Sequence, residues 1–215
     1  GFSGLLNVGH VAFFAIGAYT STLLTQIGVP FIFMNAVGSQ RDLVTMVHEG
    51  GHAVHSFLSR DLPITGFKNL PSEVAELASM SMELISMTEW NEFYKNDDDL
   101  NRAKKDQLES VLKILPWIAQ VDEFQHWIYE NPMHTIEERT ASWKNIVAEF
   151  STDSIDYTGL DMYRAIGWQR QLHLFEVPFY YIEYGIAQLG AIGMWMQYQK
   201  NPTQALENYM NALAL

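Results

Sequence analysis

From Arg41 onward, apolar residues recur three and four positions apart, the spacing of helices that bury one face. Ser39 with Asp42 three residues later makes a capping-box pattern. It predicts a helix through Ser59, closed by Asp61-Leu62-Pro63. Residues 60–71, with Pro63, Gly66 and Pro71, read as a loop. Ser72 is placed to cap a second helix to about Tyr94, and the polar run 95–99 reads as a solvated turn. A third helix is expected from Leu100 to Tyr129, with a kink at Pro116. Thr135 and Glu138 repeat the capping-box pattern for a helix to about Phe150. Helical pattern returns over residues 161–175 and from Phe179 to Gln199. Asn201-Pro202, an N-cap followed by proline at the first helical position, opens a last helix. No internal repeat and little strand pattern is present, so the chain reads as mainly α. The tryptophans, the methionines and stripes such as Leu112, Leu115, Ile118 and Val121 are expected in the core.

The stretch ahead of Arg41 is different. Residues 1–40 contain no Asp, Glu, Lys or Arg. Residues 5–34 are long and apolar enough to span a bilayer, for which about 20 residues suffice. They lack the basic start of a signal peptide, and Gly4, Gly9 and Gly17 suit close helix packing in a membrane. An ordinary buried helix is the alternative. Gly9-His10 followed by Phe13-Phe14-Ala15-Ile16-Gly17-Ala18-Tyr19 resembles a segment of the permease subunits of branched-chain amino-acid ABC transporters, over residues 1–28.

Charge and composition narrow the function. The 215-residue chain carries a formal net charge of −12, which argues against a nucleic-acid partner. Cysteine is absent. That excludes disulfides, a thiol nucleophile and thiolate metal sites, and it suits a reducing compartment.

The chemistry is concentrated in Val47-His48-Glu49-Gly50-Gly51-His52-Ala53-Val54-His55. On a helix, residues four apart lie about 40° from each other on one face. His48 and His52 can therefore bring imidazole nitrogens to one metal ion. Glu49, about 100° round from His48, sits beside that ion and can take a proton from a water on it. Catalytic zinc needs a third protein ligand. The next helix offers Glu73 and Glu76, one turn apart on one face, and spacing allows either. Glu83 shares that face two turns further on and could accept the free ring N–H of a ligand histidine. Gly50 and Gly51 each cost about 1 kcal/mol in a helix relative to alanine, so close approach of a substrate or a second backbone is expected there. His55 reads as a packed or hydrogen-bonded neighbour. His10, His126 and His134 lack ligand spacing.

Four segments together carry a resemblance: Phe31-Ile32-Phe33-Met34-Asn35, His48-Glu49-Gly50-Gly51-His52, Pro71-Ser72-Glu73-Val74-Ala75-Glu76, and His173-Leu174-Phe175-Glu176-Val177-Pro178-Phe179-Tyr180-Tyr181-Ile182-Glu183-Tyr184-Gly185. They resemble the oligoendopeptidase F branch of the thimet-oligopeptidase family, from about residue 31 to 215. The resemblance implies the catalytic part of a helical glutamate zincin, truncated relative to the family. It implies a zinc-dependent, cytoplasmic metallo-endopeptidase acting on short peptides. One Zn2+ would be held by His48, His52 and Glu76, the last matching the glutamate of the family's Glu-x-x-Ser element with Ser79. Glu49 would activate the attacking water. His173 and Tyr184 would stabilise the developing oxyanion, and Tyr181 would hydrogen-bond substrate. Asp42 and Glu83 match carboxylates that support the ligands from behind, and Glu73 is left as first-turn helix charge. On this basis residues 30–215 form a partial oligopeptidase domain, and residues 1–29 a separate apolar segment, foreign or membrane-derived. The rival expectations are a zinc-binding fragment without activity and a protein held at a membrane by residues 1–30. The sequence leaves the oligomeric state open.

Overall fold

The computed structural model describes residue 32 and residues 34–68, 71–152 and 155–214. The apolar segment 1–29 lies outside the described residues, and so do the membrane and permease expectations attached to it. The described residues are helical and contain no strand. They belong to two units, one comprising the chain up to Lys105 together with Ala187 onward, the other Asp106–Ile186.

In the first unit, helix α1 spans Gln40–Leu58. Its start is set locally. The Ser39 side chain accepts from Asp42 N–H, and the Asp42 carboxylate accepts from the Ser39 and Val37 N–H groups at 2.7 and 2.9 Å. Two orphan donors of the first turn are thereby satisfied. Helix α2 spans Ser72–Ile85. Ser72 is not its cap. Pro71 takes the N-cap position, and its carbonyl accepts from Val74 and Ala75. The expected helix to Tyr94 stops early: from Ser86 to Glu92 the chain tightens into a 3-10 helix. The Ser86 and Thr88 hydroxyls donate to the carbonyls of Glu83 and Ile85, and side chains that bond nearby carbonyls compete with the α ladder.

Helix α3, Asp97–Glu130, starts earlier than expected and continues through Pro116. Proline cannot bond the carbonyl four residues back, that of Leu112. Leu112 is 71% exposed, so water can take its place. The expected core role of Leu112 is thereby corrected. Val111 faces inward instead, with Ile118 and Val121.

In the second unit, α4 (Ile136–Glu149) starts on the Thr135–Glu138 capping box. The helix expected over 161–175 is broken into α5 (Asp161–Ala165), a 3-10 turn (Gly167–Arg170) and α6 (His173–Glu176). Gly167 disfavours a continuous helix. The Trp143 indole N–H also claims the Arg164 carbonyl at 2.8 Å. Phe124, Trp143, Ile146 and Trp168 form this unit's core. The Phe124 and Trp143 rings meet edge to face at 5.0 Å, an arrangement worth about 0.5–1.5 kcal/mol beyond burial.

Helix α7, Tyr181–Lys200, begins in the second unit and continues into the first. Just ahead of it, Phe179 adopts a left-handed backbone with φ of 60°. Such a conformation costs about 1–2 kcal/mol for a residue with a Cβ. The Gln125 amide oxygen offsets it by accepting from Phe179 N–H at 2.9 Å. Helix α8, Pro202–Leu213, opens at Asn201, whose side chain accepts from Gln204 N–H. In the first unit, Tyr209 and Leu213 of α8 pack on Ala78 of α2, and Val54, Leu58, Met82 and Met194 surround them.

Candidate metal centre and active site

α1 and α2 approach until their backbones touch. A Cβ on Gly51 would fall 2.5 Å from Ser79 Cα and 2.6 Å from the Ala78 carbonyl oxygen. Gly51 therefore admits a second backbone, whereas the space beside Gly50 is open.

That approach sets up the metal-ligand chemistry. His48 and His52 project from one face of α1, with ring centroids 5.0 Å apart and planes at 84°. Both present Nε2 to the same oxygen of Glu76 on α2. The separations from Glu76 Oε2 are 3.5 Å for His48 and 3.9 Å for His52. One ligand atom from each of the three residues lies within 4.8 Å of the others. A tetrahedral ion with bonds of about 2.0–2.1 Å separates its ligand atoms by about 3.3 Å. The donor set of two imidazoles and one carboxylate therefore fits an ion such as zinc.

Two of the three cluster residues, His48 and Glu76, are held by hydrogen bonds. His48 Nδ1 donates to Glu83 Oε1 at 2.6 Å, which leaves Nε2 with its lone pair toward the cluster. Burial would lower the His48 pKa. The Glu83 hydrogen bond and charge, with Glu76 and Glu49, outweigh it and raise the pKa. Ser79, fully buried, donates to Glu76 Oε2 at 3.1 Å and also reaches the Glu76 carbonyl. Glu73 stands in the first turn of α2, outside the cluster. Asp42 differs from its expected role behind a ligand: its carboxylate is engaged by the N-terminus of α1. His55 is 4% exposed and its Nε2 has no partner among the described residues. Burial and then the neighbouring His52 lower its pKa.

The second unit holds the distal motif. His173 Nε2 lies 3.3 Å from the Tyr184 hydroxyl, and Tyr181 packs edge-on against both rings. Burial raises the Tyr181 pKa, opposed by the Trp117 N–H and the Arg170 charge. Tyr180 stacks on His173 at 5.7 Å. Sequence reasoning assigned nothing to Gln171, whose side chain contacts both Trp117 and His173. Its position two residues ahead of His173 was the available signal. His126 lies exposed on α3 near Asp122, and neither it nor His134 joins the metal cluster.

Residues 15–215 match the sequence model of Peptidase family M3. The chain belongs to peptidase family M3. The match to the M3 model starts inside the apolar segment expected to end at residue 29. The chain is 26% identical over 210 residues to the oligoendopeptidase F homolog of Borreliella burgdorferi, covering 93% of this chain and 33% of that protein. It is 26% identical over 192 residues to the oligopeptidase PepF of Bacillus subtilis, covering 86% of this chain and 28% of the other. A solved structure of PZ peptidase A with an inhibitor superposes with a TM-score of 0.75 at 34% identity, covering 86% of this chain and 33% of that one. The chain thus spans about a third of the length of these M3 relatives. No helix among the described residues is long and apolar enough to cross a membrane.

Proposed function

We propose that this chain carries the zinc-dependent catalytic centre of an endopeptidase that hydrolyses short peptides. The supporting observation is the convergence of His48 Nε2, His52 Nε2 and Glu76 Oε2, with Glu49 the residue next to His48 on the same helix. His48, His52 and Glu76 would hold one Zn2+. When bound, the ion supplies Lewis-acid chemistry to water and to a peptide carbonyl.

The chain's own groups do the rest. Glu83 keeps the His48 ring turned and its Nδ1 protonated. Ser79 keeps the Glu76 carboxylate in place. Glu49 takes a proton from the attacking water and delivers it to the leaving amine nitrogen. Tyr184 and His173 donate to the carbonyl oxygen as negative charge grows on it, an interaction stronger in the transition state than in the ground state. Tyr181 hydrogen-bonds the substrate. A chain without cysteine suits a reducing compartment, and the cytoplasm is the proposed location.

The test is cleavage of internally quenched peptides of graded length, with zinc content measured on the same preparations. Wild type should hold one zinc and cleave. Glu49→Gln should hold zinc and lose cleavage by orders of magnitude, and Glu76→Ala should lose the metal. Zinc content equal in wild type and Glu76→Ala would end the metal assignment. Zinc retained without cleavage in wild type would reduce the chain to a metal-binding portion.

A further inference from the structure

Gln171 bridges two rings that are far apart in sequence. It sits between the 3-10 turn Gly167–Arg170 and α6, its N–H bonded to the Trp168 carbonyl and its carbonyl to Leu174 N–H. Its amide oxygen lies 3.2 Å from Trp117 Nε1. Its amide nitrogen lies 2.6 Å from His173 Nδ1. Trp117 is itself held, with its ring edge-on to Trp143 and the Arg170 guanidinium 4.4 Å over it.

The donor and acceptor roles along this chain of contacts follow from chemistry. An indole nitrogen only donates, so the atom facing Trp117 must be the amide oxygen. The other end of the amide is then NH2, which only donates. His173 Nδ1 must accept, because a proton there would oppose donor to donor. A neutral imidazole that accepts at Nδ1 carries its proton on Nε2. Tyr184 does not decide the matter, since a hydroxyl 3.3 Å from Nε2 can either donate or accept.

We propose that Gln171, oriented by Trp117, is a positioning residue that holds His173 in the Nε2–H tautomer. The ring then offers a donor on its Tyr184 side. The functional consequence rests on the proposed role of His173 as donor to the developing oxyanion, since the opposite tautomer has no proton to give there. The tautomer itself follows from the Trp117–Gln171–His173 geometry alone.

Gln171→Glu tests it with little change of shape. A carboxylate still accepts from Trp117 but accepts from Nδ1 as well, and so draws the proton to Nδ1. Long-range proton–nitrogen correlation spectra of the 215-residue chain with 15N-labelled histidine report the tautomer, with His173→Gln identifying the signals. Wild type should show the Nε2–H pattern, and Gln171→Glu a protonated Nδ1 with the other histidines unmoved. Trp117→Phe, which frees the amide to turn over, should mix the two patterns. A wild-type Nδ1–H pattern overturns the proposal, and so does an Nε2–H pattern unchanged in both variants. On peptide cleavage, Gln171→Glu should lower kcat by about 10²–10³, the cost of one oxyanion donor, with KM nearly unchanged. An unchanged kcat in His173→Gln would remove the donor role of His173 and leave the tautomer result standing.

Discussion

Gly51 and Ser79 are in backbone contact: a methyl group on Gly51 would stand 2.5 Å from Ser79 Cα. No side chain can move aside to accept it. Gly51→Ala should therefore push α1 from α2 and separate the two histidines from Glu76. A destabilisation of about 2–3 kcal/mol, the scale of forced overpacking, is expected together with loss of metal. Gly50→Ala meets nothing within 4 Å. It should instead stabilise by up to about 1 kcal/mol through helix propensity. Thermal unfolding and metal content of the two variants side by side check both outcomes. A tolerated Gly51→Ala would mean that the helices can separate at no cost.

Glu83 accepts a hydrogen bond from His48 Nδ1 at 2.6 Å. Replacing it with glutamine leaves a group that can turn either end to the ring, and replacing it with alanine leaves none. Zinc affinity should fall about 10–100-fold in Glu83→Ala and less in Glu83→Gln, the usual scale for such outer partners. Competition with a chelator of known affinity measures it.

Tyr209 docks α8 on α2 through a hydrogen bond from its hydroxyl to the Ala78 carbonyl at 2.8 Å, and burial pushes its phenol pKa up. Tyr209→Phe keeps the ring and removes that bond. A loss of about 1 kcal/mol in denaturant unfolding is expected, with zinc affinity unchanged. A parallel fall in zinc affinity would show that α8 also sets the α1–α2 spacing.

The capping carboxylate of Asp42 predicts a pH effect. Burial pushes its pKa up, but the hydrogen bonds from Ser39, Val37 and Gly38 prevail and hold it below the ordinary aspartate value. A depressed carboxylate contributes stability that is complete above its unfolded-state pKa and is lost as pH falls through the folded value. Wild type should exceed Asp42→Asn in stability at neutral pH, and the gap should close below about pH 4. Unfolding midpoints across pH 2–7 measure the gap, and one that stays constant across this range would sink the assignment.

The legible parts of this protein are those set by neighbours in sequence. The starts of α1, α4 and α8 were readable because Ser39, Thr135 and Asn201 each satisfy an N–H group three residues on. The pairing of His48 with His52 was readable because four residues make about one helical turn. The early end of α2 was harder, because Ser86 and Thr88 act by competing for carbonyls rather than by breaking the apolar period. The fracture of 161–175 depends partly on Trp143, 21 positions ahead of the Arg164 carbonyl it claims. That Leu112 faces outward and Val111 inward is a matter of which arc of α3 meets its neighbours, and a helical stripe leaves this undecided by a residue.

By itself the sequence determined a helical chain with a two-histidine metal face and a neighbouring carboxylate, because caps and helical periodicity are local physics. Spacing alone left Glu73 and Glu76 equivalent. The tertiary structure turns Glu76 to the histidines, because the contact at Gly51 fixes the depth at which α1 meets α2 and Ser79 grips the carboxylate there. It also joined Gln171 to Trp117 across 54 positions. Such contacts depend on how helices pack against each other, which no local pattern encodes.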